Sequence, residues 1–116
     1  MINTDYRNSN TSFGTKLSPE TYTKLKNNVS KDLNHCIDIC CNRIEEWGEH
    51  DSVISLGTDY HSKAGTSHFI ISNKRLGKKT AKLSFDKKDN ELLSALISIT
   101  KDMIISAEKY IRNSGS

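Results

Sequence analysis

The spacing of the apolar residues changes twice along this chain, and this change constrains the possible folds more than any other feature. From about residue 19 to residue 47, apolar side chains recur at intervals of mostly three and four, the period of one helix face. Three short runs of β-branched and aromatic residues follow, and a second helical pattern extends to about residue 112. This order predicts an α+β fold in which two long helices flank a three-stranded antiparallel β-meander (αβββα).

The first predicted helix has boundary signals at both ends. Ser18 can cap its start, and Pro19 suits the first helical position because the missing N–H would have no partner there. Glu20 favours the positive end of the helix dipole, and Gly48 is placed to end the helix. The sequence therefore predicts one continuous helix between these signals.

The predicted strands cover residues 53–56, 68–71 and 81–85, with turns rich in Gly, Asn and Lys between them. The second helix is expected to begin near Asp86 or Asp89, either of which can cap it. Its apolar residues cover more than one stripe, which is wider than a small sheet can bury. We therefore expect a homodimer formed through the helix surface, with burial against the first helix as the alternative.

Residues 1–16 are rich in Asn, Ser and Thr and contain few large apolar side chains. We expect a flexible polar arm there, with an edge strand as the alternative, followed by a single α+β domain over residues 17–113. The whole chain of 116 residues leaves room for one domain.

The composition is that of a globular protein, with 34% hydrophobic and 27% charged residues. No apolar run approaches the roughly 20 residues of a transmembrane helix, and the first residues do not resemble a signal peptide. We expect a cytoplasmic protein without a membrane segment. The chain has ten Asn and twelve Ile against one Pro, a bias associated with AT-rich genomes, phages and plasmids.

Positive charge is concentrated between residues 74 and 88, where seven cations stand against one acid, Asp86. Five of them lie in or beside the predicted turn between the second and third strands, where they could neutralise phosphates without reading base sequence; they are Lys74, Arg75, Lys78, Lys79 and Lys82. The alternative is that these lysines protect a sheet edge from strand addition. Exposed aromatic residues are scarce near these cations, and Tyr60 is the single candidate. Single-strand binding by base stacking is therefore not favoured.

A second function fits the other charged region. Residues 43–51 are acidic, with Glu45, Glu46 and Glu49 forming an acidic corner near the predicted end of the first helix. Together with the wide apolar helix, this corner suggests a protein-binding adaptor, inhibitor or chaperone. This interpretation is the alternative to nucleic-acid binding.

Catalytic and metal sites are weakly indicated. Cys36 and Cys40 share a helix face and could bind zinc together with His35 or a distant histidine, but they also lie on the apolar stripe, where Cys acts as a small core residue. Cys41 is expected to be partly exposed. The segment 59–61 together with His68 could perform acid–base chemistry, but no second group of residues supports it. We predict a non-enzymatic protein with no catalytic residue, no metal and no cofactor.

Overall fold

The computed structural model describes residues 14–58 and 63–114, which form a mixed α+β domain of four α-helices and a five-stranded sheet. In chain order the elements are β1 (Lys16–Leu17), α1 (Pro19–Asn28), α2 (Asn34–Trp47), β2 (Val53–Gly57), β3 (Thr66–Ser72), β4 (Thr80–Lys82), β5 (Lys87–Lys88), α3 (Leu92–Ile97) and α4 (Lys101–Ser114). Short 3-10 helices precede α2 and α3, at Lys31–Leu33 and Asp89–Glu91. None of the helices in the described ranges is long and apolar enough to cross a membrane.

The sheet contains the three predicted antiparallel strands and two further short ones. β2 pairs with β3 and β3 with β4, so that Ile71 of β3 lies between Ile54 and Ala81. β1 adds in parallel to β2 at one edge. At the other edge β4 and then β5 pair with β3, so the segment from β4 to β5 follows one side of β3.

The first predicted helix is broken, which corrects the expectation of one continuous helix. It begins as predicted, since the Ser18 hydroxyl accepts a hydrogen bond from the Thr21 N–H at 3.3 Å. It ends at Asn28 because Val29 is extended, with φ −114° and ψ 142°. Asn, Val and Ser are weak helix formers, and the Asn28 side chain donates to the Lys24 carbonyl at 2.9 Å, satisfying a carbonyl of the last turn.

This break lets α1 fold back against α2. The Tyr22 hydroxyl donates to Asp38 Oδ1 at 2.7 Å, and Lys26 Nζ lies 3.2 Å from Asp38 Oδ2. Burial, together with the hydrogen bond to Asp38, raises the pKa of Tyr22. A continuous helix would place these groups along one axis and could not bring them into contact at a separation of 16 residues.

The second predicted helix is also broken, into α3 and α4. The Thr100 hydroxyl accepts from the Met103 N–H at 3.2 Å and so caps the start of α4, while the Ser98 hydroxyl donates to the Ser94 carbonyl at 2.9 Å. The break turns two apolar faces inward, and the buried residues of this region are Leu92, Ala95, Leu96, Ile99, Ile104, Ala107 and Ile111. Burial within the chain therefore accounts for most of the wide apolar surface.

The last residues of the predicted polar arm, 14–16, pack against the rest of the domain. Gly14 and Thr15 are buried, and Lys16 belongs to β1, so these residues are part of the domain. A Cβ on Gly14 would lie 1.6 Å from the Glu45 carbonyl oxygen, which shows how closely this segment lies against the end of α2. Residues 1–13, the rest of the predicted arm, lie outside the described residues.

The core lies between the sheet and the helices. Strand residues Ile54, Phe69 and Ile71 are fully buried there, as expected for the alternating pattern of a sheet covered on one face. Helix residues complete the core, including Leu25, Ile37, Ile44, Leu96, Ile104 and Ile111. Cys40 belongs to this cluster, as the apolar stripe predicted, whereas Cys36 of the same stripe is only partly buried and is not among its residues. Cys41 is partly exposed, as expected, and packs against the cluster.

Candidate nucleic-acid interface

All five cations predicted to bind nucleic acid are exposed, and they lie in the β3–β4 turn and in β4. Two of them contact acids: Arg75 Nε lies 3.8 Å from Asp51 Oδ2, and Lys82 Nζ lies 4.0 Å from Asp86 Oδ1. Lys74, Lys78 and Lys79 make no ion pair with any residue in the described ranges. The three lysines of the turn are therefore available to an external anion.

A buried asparagine holds the turn in place. Asn73 is 1% exposed, and its carbonyl accepts from the N–H groups of Leu76 and Gly77 at 3.0 and 3.1 Å. Its side-chain oxygen accepts from the Arg75 N–H at 2.9 Å, which closes an Asx-turn at the start of the loop. Because the main-chain carbonyl and the side-chain oxygen of Asn73 both accept hydrogen bonds within the turn, the backbone that carries the lysines is ordered.

The Asn73 side chain also ties the turn to the rest of the domain. Its Nδ2 donates to the His50 carbonyl at 3.0 Å and to Ser52 Oγ at 2.8 Å. Ser52 Oγ in turn donates to Glu108 Oε2 at 2.6 Å, and the Glu49 N–H donates to the same oxygen at 2.7 Å. A buried polar network therefore connects α4, the loop before β2 and the basic turn.

Two further lysines extend the same surface. Lys87 and Lys88 form β5, which pairs with Thr66 and Ser67 on the side of β3 that β4 also uses. Both are exposed, and neither makes an ion pair within the part of the chain that the structure describes. We call the resulting surface the basic edge; it consists of Lys74, Arg75, Lys78, Lys79, Lys82, Lys87 and Lys88.

The sequence contained the signal for these two lysines but not their position. The basic stretch of the sequence includes Lys87 and Lys88, but the predicted site does not. The strand pairing of β5 with β3 is a long-range contact, which local sequence patterns do not show.

Phe85 lies on the surface, although it was predicted to end the third strand. β4 ends at Lys82, and the next residues are fixed individually: the Leu83 N–H donates to the Phe69 carbonyl at 2.8 Å, and Ser84 Oγ accepts from the Phe69 N–H at 2.9 Å. The Phe85 side chain is left 82% exposed between Lys82 and Lys87. The expected exposed aromatic residue, Tyr60, lies outside the described residues.

Two grooves run along the helix side of the basic edge. One, of about 560 Å³, lies between β4 and α4 and is lined in part by Lys82, Leu83, Met103 and Tyr110. The other, of about 440 Å³, is lined in part by Leu83, Phe85 and Met103. Because Leu83 and Met103 line both, the two grooves adjoin, and we call them together the edge groove.

All three cysteines belong to α2. Within residues 14–58 and 63–114, no group of three or more His, Cys, Asp or Glu side chains could hold a metal ion. Burial raises the pKa of the Cys40 thiol, an effect that Arg43 partly offsets. Cys36 Sγ lies 3.8 Å from His35 Nε2 on the exposed side of α2.

The acid–base hypothesis involves residues 59–61 and His68, of which the structure describes His68. Residues 59–61 lie outside the described residues, whereas His68 is 4% exposed and its Nδ1 lies 2.7 Å from Asp86 Oδ1. This pair joins β3 to the segment between β4 and β5. The contact fixes Asp86, the residue that follows the exposed Phe85.

In comparisons with known proteins, no family model matches this chain, and neither a curated protein nor a solved structure gives a significant match.

Proposed function

We propose that this chain is a small non-enzymatic binding protein that contacts a nucleic-acid backbone through the basic edge. The observation that carries the proposal is the group of five exposed lysines that make no ion pair within the described residues; they are Lys74, Lys78, Lys79, Lys87 and Lys88. A row of such cations neutralises phosphates and releases their counterions, which supplies affinity without sequence readout.

The order of the turn supports the same proposal. Cations on a mobile loop lose conformational entropy when they bind, whereas Asn73 already fixes the backbone on which Lys74, Lys78 and Lys79 stand. A set of lysines that served only to keep the surface soluble would gain nothing from a buried anchor. The lysines of β5 gain the same advantage from their pairing with β3.

The test is a gel-shift panel over duplex and single-stranded DNA and RNA at about 50 and about 200 mM salt. We expect retardation that weakens strongly at the higher salt concentration. The double variant Lys78→Glu/Lys79→Glu should bind weakly and should reduce the salt slope by about two. The matched control is Lys101→Glu/Lys109→Glu, which makes the same charge change on exposed residues of α4 that do not line the edge groove.

A blank panel would refute the proposal, and so would equal losses for the two double variants. A blank panel together with a co-purifying protein would favour the alternative, a protein-binding adaptor, inhibitor or chaperone. Its surface would include the acidic corner, where Glu49 already contacts Arg112 at 2.5 Å.

Homodimerisation and a cytoplasmic location belong to the proposal as predictions. The apolar surface of α3 and α4 that is available to a second copy includes Ile97 and Ile105, which are 56% and 46% exposed. Sedimentation equilibrium over a range of concentrations measures the mass directly. A single monomer mass at all concentrations would contradict the dimer and leave the basic edge unaffected.

A further inference from the structure

Phe85 is exposed in a way that packing does not explain. Its side chain is 82% exposed, the highest value among the large apolar residues of the described ranges, although Phe is commonly a core residue. It is also not on a loose loop, because its neighbours on both sides are fixed. Leu83 is buried, Ser84 Oγ accepts from the Phe69 N–H, and Asp86 contacts buried His68.

Charged residues of both signs lie near this ring, which lines a groove. Lys82 and Lys87 flank Phe85 in the chain, and Lys87 lines the same section of the edge groove as the ring. Glu91 is an acid in that section, but its Oε1 accepts from the Lys88 N–H at 3.3 Å, so it acts as a cap for the following helix. Asp86 and Glu91 balance Lys82 and Lys87 next to the ring, so the positive excess that attracts an anionic ligand comes from the other lysines of the basic edge.

A second exposed aromatic residue lines the other section of the edge groove. Tyr110 of α4 is 50% exposed and lines the section next to β4, opposite Thr80 and Lys82. Each section of the edge groove is thus lined by one exposed ring and one lysine, Tyr110 with Lys82 and Phe85 with Lys87, and Leu83 and Met103 line both sections. Neither ring is needed to fill the core.

We infer that the edge groove binds single-stranded nucleic acid, with bases stacked on Phe85 and Tyr110 and phosphates against the lysines of the basic edge. This inference rests on the proposed function and names its substrate class. Aromatic platforms beside a basic track suit a single strand, because its bases are unpaired and present their faces. A duplex hides those faces and would use the lysines alone.

The test compares an oligothymidine of about 16 nucleotides with a duplex of the same length by fluorescence anisotropy. For Phe85→Ala we expect roughly 5- to 150-fold weaker binding of the single strand, from the loss of one stacked base, and unchanged binding of the duplex. Because the side chain is exposed, this variant should keep the thermal stability of the parent protein. The matched control is Ile39→Ala, which removes an exposed apolar side chain from α2 and should leave both affinities unchanged.

A second variant makes stacking visible. In Phe85→Trp the ring is kept, so single-strand affinity should be retained, and the added indole should be quenched on titration with oligothymidine. Trp47 is partly buried on α2, and the parent protein supplies its background signal.

The outcomes separate the inference from the function on which it rests. If Phe85→Ala binds the single strand as tightly as the parent while Lys78→Glu/Lys79→Glu does not, the inference is overturned and backbone binding stands. If the parent protein binds neither probe, the proposed function fails as well. Poly-glutamate that binds as tightly as oligothymidine, and also depends on Phe85, would identify an acidic peptide as the ligand and overturn the inference.

Discussion

Replacing Asn73 by alanine should both destabilise the domain and disorder the basic turn. The substitution removes three side-chain hydrogen bonds, to the His50 carbonyl, Ser52 Oγ and the Arg75 N–H. At about 1 kcal/mol for each bond, with a further cost for groups left buried without a partner, the expected loss is roughly 2–4 kcal/mol. The Arg75 N–H lies near the surface and can be hydrated, so the lower half of this range is favoured.

The assay is urea unfolding followed by circular dichroism, with Asn42→Ala as the control. Asn42 is exposed on α2, where alanine is a better helix former, so this control should change stability by less than about 0.5 kcal/mol. Hydrogen exchange should also accelerate at the Leu76 and Gly77 amides, which donate to the Asn73 carbonyl. A loss below about 0.5 kcal/mol for Asn73→Ala would refute the role assigned to this residue.

Two further predictions concern the packing of the chain. Gly48→Ala should lower the free energy of unfolding by about 1–3 kcal/mol or more, because the new Cβ would lie 1.6 Å from the buried Thr15 Oγ1. Gly57→Ala is the control and should be tolerated, because its new Cβ would make contacts of 3.4 Å or more. Equal melting temperatures for the two variants would contradict this prediction. Cys40 should react with iodoacetamide more slowly than Cys36, because burial raises the pKa of the Cys40 thiol and leaves less thiolate at any given pH. Equal alkylation rates for the two cysteines, measured by mass spectrometry, would contradict this prediction.

The elements were predictable where one local pattern decided them. Ser18 and Pro19 mark the start of α1, and the three runs of β-branched and aromatic residues became β2, β3 and β4. The helix breaks were missed because the three-and-four spacing continues through both of them. Thr100, followed by Lys101 and Asp102, is a cap signal within the second pattern, and it could have located the start of α4.

The candidate site was predicted in composition but not in extent. The charge count identified the lysines of the turn, since local composition alone shows them. The pairing of β5 with β3, the anchoring of Asn73 by Ser52 and the outward position of Phe85 all depend on contacts between residues distant in sequence. Such contacts leave no periodic signal, so only the structure brings the two further lysines and the exposed ring to one edge.

The salt dependence of single-strand binding tests the central claim most directly. The five lysines that make no ion pair within residues 14–58 and 63–114 should each release counterions, so a plot of log affinity against log salt concentration should have a slope of roughly −3.5. Fluorescence anisotropy with oligothymidine measures this slope for the parent protein. A slope near −3.5 is the result we predict, and affinity that does not change with salt would show that the basic edge does not bind phosphates.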